Sequence, residues 1–426
     1  MNGIMPLSLK NCIYQTINLY FKVNKGEVPM KKMLTSLPAK LALAVIVGII
    51  LGQILSFEVM EFMVTLKYIL NQIIMFCVPL IIIGFIAPSI TRLGNNASRI
   101  LGIAVGSAYI SSIGAAFFSL IAGYLLIPRL NIITEVEGTK EFPAMVFQLE
   151  IPQIMSVMSA LVFSLFIGLA ATWVKAETIT TVLEEFQNMV LSIVKKIVIP
   201  ILPLFICLTF TTLSFEGIIT TQLPVFLKVI LIVIIGHYLW LAILYVIAGI
   251  YTGENPFHII KNYGEAYLTA IGTMSSAATL AVALRCAKKS EPPLRDDMVN
   301  FGIPLFANIH LCGSVLTEVF FVMTVSKILY GALPSLSDMI LFCLLLGVFA
   351  IGAPGVPGGT VMASLGLISG VLGFDETGIA LMLTIFALQD SFGTACNVTG
   401  DGALTLILTV YVKKREAKQN GEKGFL

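Results

Sequence analysis

The sequence predicts an all-α integral membrane protein of eight transmembrane helices plus two opposed re-entrant helical hairpins. Three observations lead there. Of the 426 residues, 57% are hydrophobic and only 12% charged. Ordinary soluble domains carry roughly 25% charge, so most of this surface must face lipid or other apolar segments. Apolar runs near 39–57, 64–90, 99–127, 143–174, 187–214, 223–250, 297–328 and 379–412 suit a hydrocarbon core that takes about 20 helical residues to cross. Two further apolar segments, 257–289 and 335–373, are split by small-residue clusters, MSSAAT at 274–279 and GAPGVPGG at 352–359. Their halves, about 12–16 residues each, are too short to span. Non-helical tips of this kind are tolerable at membrane depth only where protein or a cavity surrounds them.

Taken in order, residues 1–36 form a cytoplasmic N-terminal segment with two candidate starts. From Met1 the chain is polar and lacks a compact apolar stretch before a small-residue cleavage site. From Met30, MKKMLTSLPAKLALAVIVGIILG reads as a bacterial basic tail leading into the first span, and both starts stay open. Residues 37–256 hold six spans, several so long that they must tilt or break. Residues 257–412 hold a hairpin (257–289), a helix (295–328), a second hairpin (335–373) and a last helix (376–412), before a basic tail at 413–426.

Basic residues set the orientation. Lys22, Lys25, Lys31, Lys32 and Lys40 precede or open the first span, and Arg92 and Arg99 follow the second. Arg285, Lys288, Lys289 and Arg295 surround the exit of the first hairpin, and Lys413, Lys414, Arg415 and Lys418 close the chain. An even number of spans puts both termini on one side, and positive residues inside make that side the cytoplasm; the membrane expected is the plasma (bacterial cytoplasmic) membrane. The first hairpin then enters from inside. The second, flanked by Asp338, Asp375 and Glu376, enters from outside. Broken segments in opposed orientation mark an inverted-repeat secondary transporter with its site at the tips.

A net charge of +2 gives no support to a nucleic-acid partner; lipid is the surrounding medium. The seven cysteines lack metal-ligand or redox spacing and read as small buried hydrophobes. No cofactor is expected.

Within the last apolar run, Asp390, Thr394, Asn397 and Asp401 stand at helical offsets that place them within about 60° of one another. A four-residue polar stripe at membrane depth is either a set of interhelical hydrogen bonds or a contact for a charged ligand. A proteolytic aspartate dyad is excluded: the two carboxylates stand about 16 Å apart along the axis, where a shared proton needs about 3 Å. In NIHLCGSVLTE (308–318), His310, Ser314 and Glu318 recur every four residues and share a face of the expected helix, so His310 and Glu318 are candidate proton carriers.

SSAATLAVALRCA (275–287), GAPGVPGGT (352–360) and DSFGTACNVTGD (390–401) together resemble the dicarboxylate/amino acid:cation symporters, the bacterial relatives of glutamate transporters. The resemblance covers about 257–412, and the LQDS run is similar to the serine/threonine branch. It implies a homotrimer working as an elevator, with 257–412 and the third and sixth helices as transport domain against a trimerisation scaffold. It also implies roles. Asp390, helped by Thr394, receives the substrate ammonium; Asn397 and the serine tip, Ser275 and Ser276, hold the carboxylate; Ser314 and backbone at Met274, Val356 and Gly359 complete the pocket. Half-helix N-termini with unpaired N–H groups suit a carboxylate. Asp401 and Asn397, with backbone at Phe306, resemble a sodium site of hard oxygen ligands, in which His310 replaces one of the family's expected ligands.

Two departures from the family pattern narrow the function. Where acidic-substrate members carry an arginine, this chain has Gly393, so an acidic side chain would be left charged and unpaired, at a cost of several kcal/mol. Glycine also leaves room for a larger neutral side chain. The family's NMDGT stretch is here HLCGS, with His310 and Cys312 replacing an asparagine and an aspartate, so one sodium site is lost or weak. The expected function is cation-coupled import of a small neutral L-amino acid such as serine, threonine or alanine, driven by sodium with the proton as alternative. The rivals are an acidic amino acid or C4-dicarboxylate carrier, and a non-transporting sensor or channel on the same fold; an enzyme is not expected.

Overall fold

A computed structural model describes residues 37–95, 99–130, 132, 143–290, 293–353 and 355–419. The expected N-terminal segment, with its lysines and alternative starts, lies outside them, as does the tail from 420. The elements in chain order are α1 (Leu37–Ile54), α2 (Phe57–Asn95), α3 (Arg99–Leu126), α4 (Val157–Trp173), α5 (Glu177–Ile193), α6 (Ile199–Phe215) and α7 (Ile218–Thr252). They continue with α8 (Phe257–Ile260), α9 (Gly264–Thr273), α10 (Ser276–Lys288), α11 (Asp296–Ile309), α12 (Cys312–Tyr330), α13 (Leu336–Gly352), α14 (Gly359–Gly370) and α15 (Glu376–Gln419). A π-helical turn, Val194–Val198, joins α5 to α6.

Six of the eight expected spans are long and apolar enough to cross a membrane: Phe57–Pro88, Ile100–Arg129, Glu177–Phe215, Pro224–Thr252, Asp296–Tyr330 and Glu376–Ala417. The first and fourth fall short, with apolar helical stretches of Ala39–Ile54 and Val162–Trp173. In the fourth run, expected over 143–174, residues 143–156 are not helical and α4 begins only at Val157. Pro143 and Pro152, with Gln148, Glu150 and Gln153 between and beside them, explain the late start. Ser156 then caps α4, its hydroxyl accepting from the Ser159 N–H at 3.2 Å.

Both expected breaks occur. Met274, buried and left-handed at φ 52°, separates α9 from α10, and Ser275 caps α10 by accepting from the Ala278 N–H at 3.2 Å. Gly358, at φ 70°, sets the start of α14, a conformation glycine adopts without steric cost. Each hairpin's limbs pack on each other, and the two tips meet where the Ser275 hydroxyl donates to the Gly355 carbonyl at 2.6 Å.

The seventh span departs from expectation. In place of one helix over 295–328 there are two, α11 and α12, separated by His310 and Leu311 in non-helical conformations. His310 therefore does not share a regular helical face with Ser314 and Glu318. Glycine and proline are both missing from the break point, so its cause must be tertiary. The last helix also runs further than expected, through the start of the basic tail to Gln419.

Packing follows residue size. Gly48 and Gly52 form a GxxxG pair on α1, and a Cβ at either would lie 2.4 Å from the Cys207 carbonyl oxygen or 2.3 Å from that of Thr211 on α6. Only glycine lets the two backbones approach so closely. Gly48→Leu is expected to destabilise the protein by about 1–3 kcal/mol or more through overpacking; its check is the melting temperature in detergent, and an unchanged value would refute the close crossing. The interior lies around α12 and α15, whose spans are 89% buried, against 33% for Glu177–Phe215. At the base of the first hairpin Arg285 pairs with Glu265 at 2.6 Å. Arg295 bridges Asp297 and Glu416, both at 2.6 Å, tying the entry of α11 to the end of α15. Hydrogen bonds from Arg295 to Asp297, then to Glu416, raise the guanidinium further above its ordinary range against a smaller desolvation effect.

Candidate functional site

Helix α15 is unbroken from Glu376 to Gln419, so it carries Asp390, Thr394, Asn397 and Asp401 on one face as helical spacing requires. All four are buried. Along this stripe Asp390 meets the break of the second hairpin, while Asn397 and Asp401 both meet the break between α11 and α12.

Asp390 meets the second hairpin. Its Oδ2 accepts from the Gly358 N–H at 2.6 Å, so the carboxylate holds the N-terminal edge of α14. A charge-assisted bond to a free helix N-terminus is a natural use of a buried carboxylate. The neighbouring Gly359 N–H is taken by the Val356 carbonyl at 2.9 Å, so those two expected backbone groups satisfy each other in the tip turn. Met274 is likewise engaged, its N–H donating to Ala270 at 2.8 Å. Ser276 is buried in the first turn of α10.

Asn397 meets the break between α11 and α12. Its Oδ1 accepts from the N–H groups of Gly313 at 2.7 Å and Ser314 at 3.2 Å, and its Nδ2 donates to the Ser314 hydroxyl at 2.9 Å. These are first-turn donors that would otherwise lack partners, so Asn397 caps α12 from another helix. That is the tertiary cause of the broken span. Close contact makes it work: a Cβ on Gly313 would lie 2.5 Å from the Gly393 carbonyl oxygen and from Cys396 Cβ. A Cβ on Gly393 would lie 3.3 Å from Ser314 Cα and 3.4 Å from its Oγ. The room expected from a glycine at 393 is thus occupied by Ser314.

Asp401 meets His310. The ring Nδ1 lies 2.9 Å from Oδ1 and donates to it, while Nε2 lies 2.9 Å from the hydroxyl of Ser111 on α3. Oδ2 is buried without a hydrogen-bond partner among the described residues. Of the expected sodium set, the Asn397 amide oxygen and both His310 nitrogens are already bonded within the protein. The Phe306 carbonyl accepts the His310 N–H at 2.8 Å and keeps a second lone pair. Glu318, expected to act with His310, is instead paired with the Ser364 hydroxyl on α14, and its Oε2 has no partner among the described residues.

Three residues here were not singled out in the sequence. Ser111 lies in a serine pair inside α3, Ser364 inside α14 and His237 inside α7. The signal for His237 was available, since it stands in the apolar run 223–250 and ionisable groups are rare in such runs. Its Nε2 lies 3.0 Å from the Gly313 carbonyl and 2.9 Å from the Thr317 hydroxyl. A carbonyl only accepts, so Nε2 carries the proton. His237 thereby bolts α7 to the same turn of α12 that Asn397 caps.

Ser111, His310 and Asp401 are linked in the order of a hydrolytic triad, but all three are buried in the helix bundle. The comparison with known proteins settles the class. The chain belongs to the sodium:dicarboxylate symporter family, whose model matches residues 37–410. This is a family of multi-pass membrane transporters, not of enzymes. Excitatory amino acid transporter 2 of Mus musculus is 27% identical over 261 residues, and that of Homo sapiens 26% over 261. Each match covers 59% of this chain and 44% of the relative, so the chain spans less than half the length of these curated relatives.

Proposed function

We propose that this protein is a cation-coupled symporter of a small neutral L-amino acid, serine, threonine or alanine, in a bacterial cytoplasmic membrane. The observation that carries the substrate class is the wall formed by Gly393 and Ser314. Where an arginine would answer an acidic side chain stands Gly393, so close to Ser314 that even a Cβ on it would lie 3.3 Å from the Ser314 Cα. An uncompensated carboxylate buried there would cost several kcal/mol. Asp390 takes the ammonium, with Thr394 beside it. The carboxylate goes to Asn397 and to the serine tip of the first hairpin, where Ser275 and Ser276 open α10.

Release of substrate requires the tips to part, breaking the contacts from Ser275 to Gly355 and from Gly358 to Asp390. The eight-span count, cytoplasmic termini, a transport domain of 257–412 with the third and sixth helices, and elevator motion in a homotrimer belong to the same proposal. The large apolar residues exposed on α1, Leu43, Ile46, Ile50 and Ile54, support a face turned to lipid or to another copy.

Sodium is the coupling ion of this reading, held by the free Oδ2 of Asp401 with the Phe306 carbonyl. A second reading has the proton in that place. It is favoured by one observation, the His310 ring covering Oδ1 of the same carboxylate. Uptake of labelled serine, alanine, glutamate and succinate into proteoliposomes, with sodium or proton gradients imposed separately, decides both questions. The expected result is sodium-driven uptake of serine or alanine well above glutamate. Preference for glutamate or succinate refutes the substrate class, and uptake indifferent to sodium refutes sodium coupling.

A further inference from the structure

Outside the tips lies a cavity of about 470 Å³, within the usual range for small-molecule sites. One wall is the transport core, with Ala277 of the first tip, Gly355 and Val356 of the second, and Asn308 of α11. The opposite wall is α5 and the π-helical turn, which contribute Asn188 and Lys195. Among the described lining residues, Lys195 carries the only formal charge.

The position of Lys195 has a local cause. Pro200 lacks an N–H and its ring crowds the carbonyl four residues back, at Lys196. The helix relieves this by widening over Val194–Val198, with the Ile199 N–H reaching back to Val194. Single π turns of this kind are frequent at functional sites. Here the turn carries a cation, Lys195, across a cavity from the two tips that must part for substrate to pass.

We infer that Lys195 forms an anteroom site for the carboxylate of the transported amino acid, occupied before or after the tips open. The inference rests on the transporter reading but not on the substrate's side chain, since every amino acid carries the carboxylate. A lone charge in a narrow cleft raises the local concentration of its counter-ion and the rate of encounter, an effect that fades with ionic strength. Lys196, adjacent in the chain and outside the cavity lining, serves as the control.

The test is labelled serine uptake by Lys195→Gln, Lys195→Arg and Lys196→Gln in right-side-out and inverted vesicles, at fixed sodium. Lys195→Gln is expected to raise KM about fivefold in the orientation that loads through this cavity, with Vmax unchanged. Lys195→Arg and Lys196→Gln are expected to match the wild type. Raising ionic strength to about 1 M, where the Debye length falls to about 3 Å, with choline methanesulfonate is expected to bring wild type and Lys195→Gln together. An unshifted KM in both orientations overturns the inference, as does an equal shift in Lys196→Gln. So does a wild-type KM that responds to chloride but not to methanesulfonate, which would make a small inorganic anion the occupant. Loss of uptake in Asp390→Asn with an unshifted Lys195→Gln would leave the substrate site standing and remove only the anteroom.

Discussion

Asp390→Asn is expected to reduce amino acid uptake to background while leaving the fold intact. The substitution is nearly isosteric, and the amide oxygen of asparagine can still accept the Gly358 N–H that Oδ2 accepts at 2.6 Å. The tip of the second hairpin therefore keeps its anchor. What disappears is the negative charge. An ammonium brought into this buried position without a counter-charge loses about 3–5 kcal/mol, the cost of breaking a buried ion pair from one side. That corresponds to a loss of affinity of about two to four orders of magnitude. Two measurements separate this from misfolding. The melting temperature without substrate should match the wild type, and the rise in melting temperature on adding serine should vanish, because only binding to the native state produces it. A variant that transports at the wild-type rate would place the ammonium elsewhere.

How far the sequence led can be judged from particular elements. The stripe on α15 was legible because helical periodicity fixes which residues share a face, and all four positions are buried together as spacing requires. The hairpin breaks were legible because small residues and glycines interrupt apolar runs there. The break at His310 and Leu311 was not. NIHLCGS holds no proline and its glycine comes two residues after the break; the break forms where Asn397, 84 positions from Gly313, accepts from the first-turn N–H groups of α12. The stretch 143–156 misled for the opposite reason, since its hydropathy resembles a span while its prolines forbid one. Lys195 needed two facts, a proline-driven π turn and a cavity across from it, and only the first is written in the chain.

Gly313→Ala is the second substitution expected to have a large effect, and it tests the tertiary cap directly. A methyl at 313 would lie 2.5 Å from the Gly393 carbonyl oxygen, 2.5 Å from Cys396 Cβ and 3.0 Å from Cys396 Sγ. Neither a backbone carbonyl nor a Cβ can swing aside, so the first turn of α12 must move off α15. That movement stretches the bond from the Gly313 N–H to Asn397 and the one from His237 to the Gly313 carbonyl. Overpacking alone costs about 1–3 kcal/mol, and each buried polar group left unpaired adds about 1–3. Uptake is expected to fall more than tenfold together with the melting temperature. Adding Cys396→Gly removes the sulfur and Cβ but not the carbonyl, so the double variant should recover stability only in part. Full recovery would mean that Cys396 is the whole obstacle, and wild-type uptake by Gly313→Ala would mean that Asn397 does not need its cap on α12 to hold substrate. The expected partial recovery would locate the constraint in the backbone of α15 at Gly393, the residue on which the proposed substrate class rests.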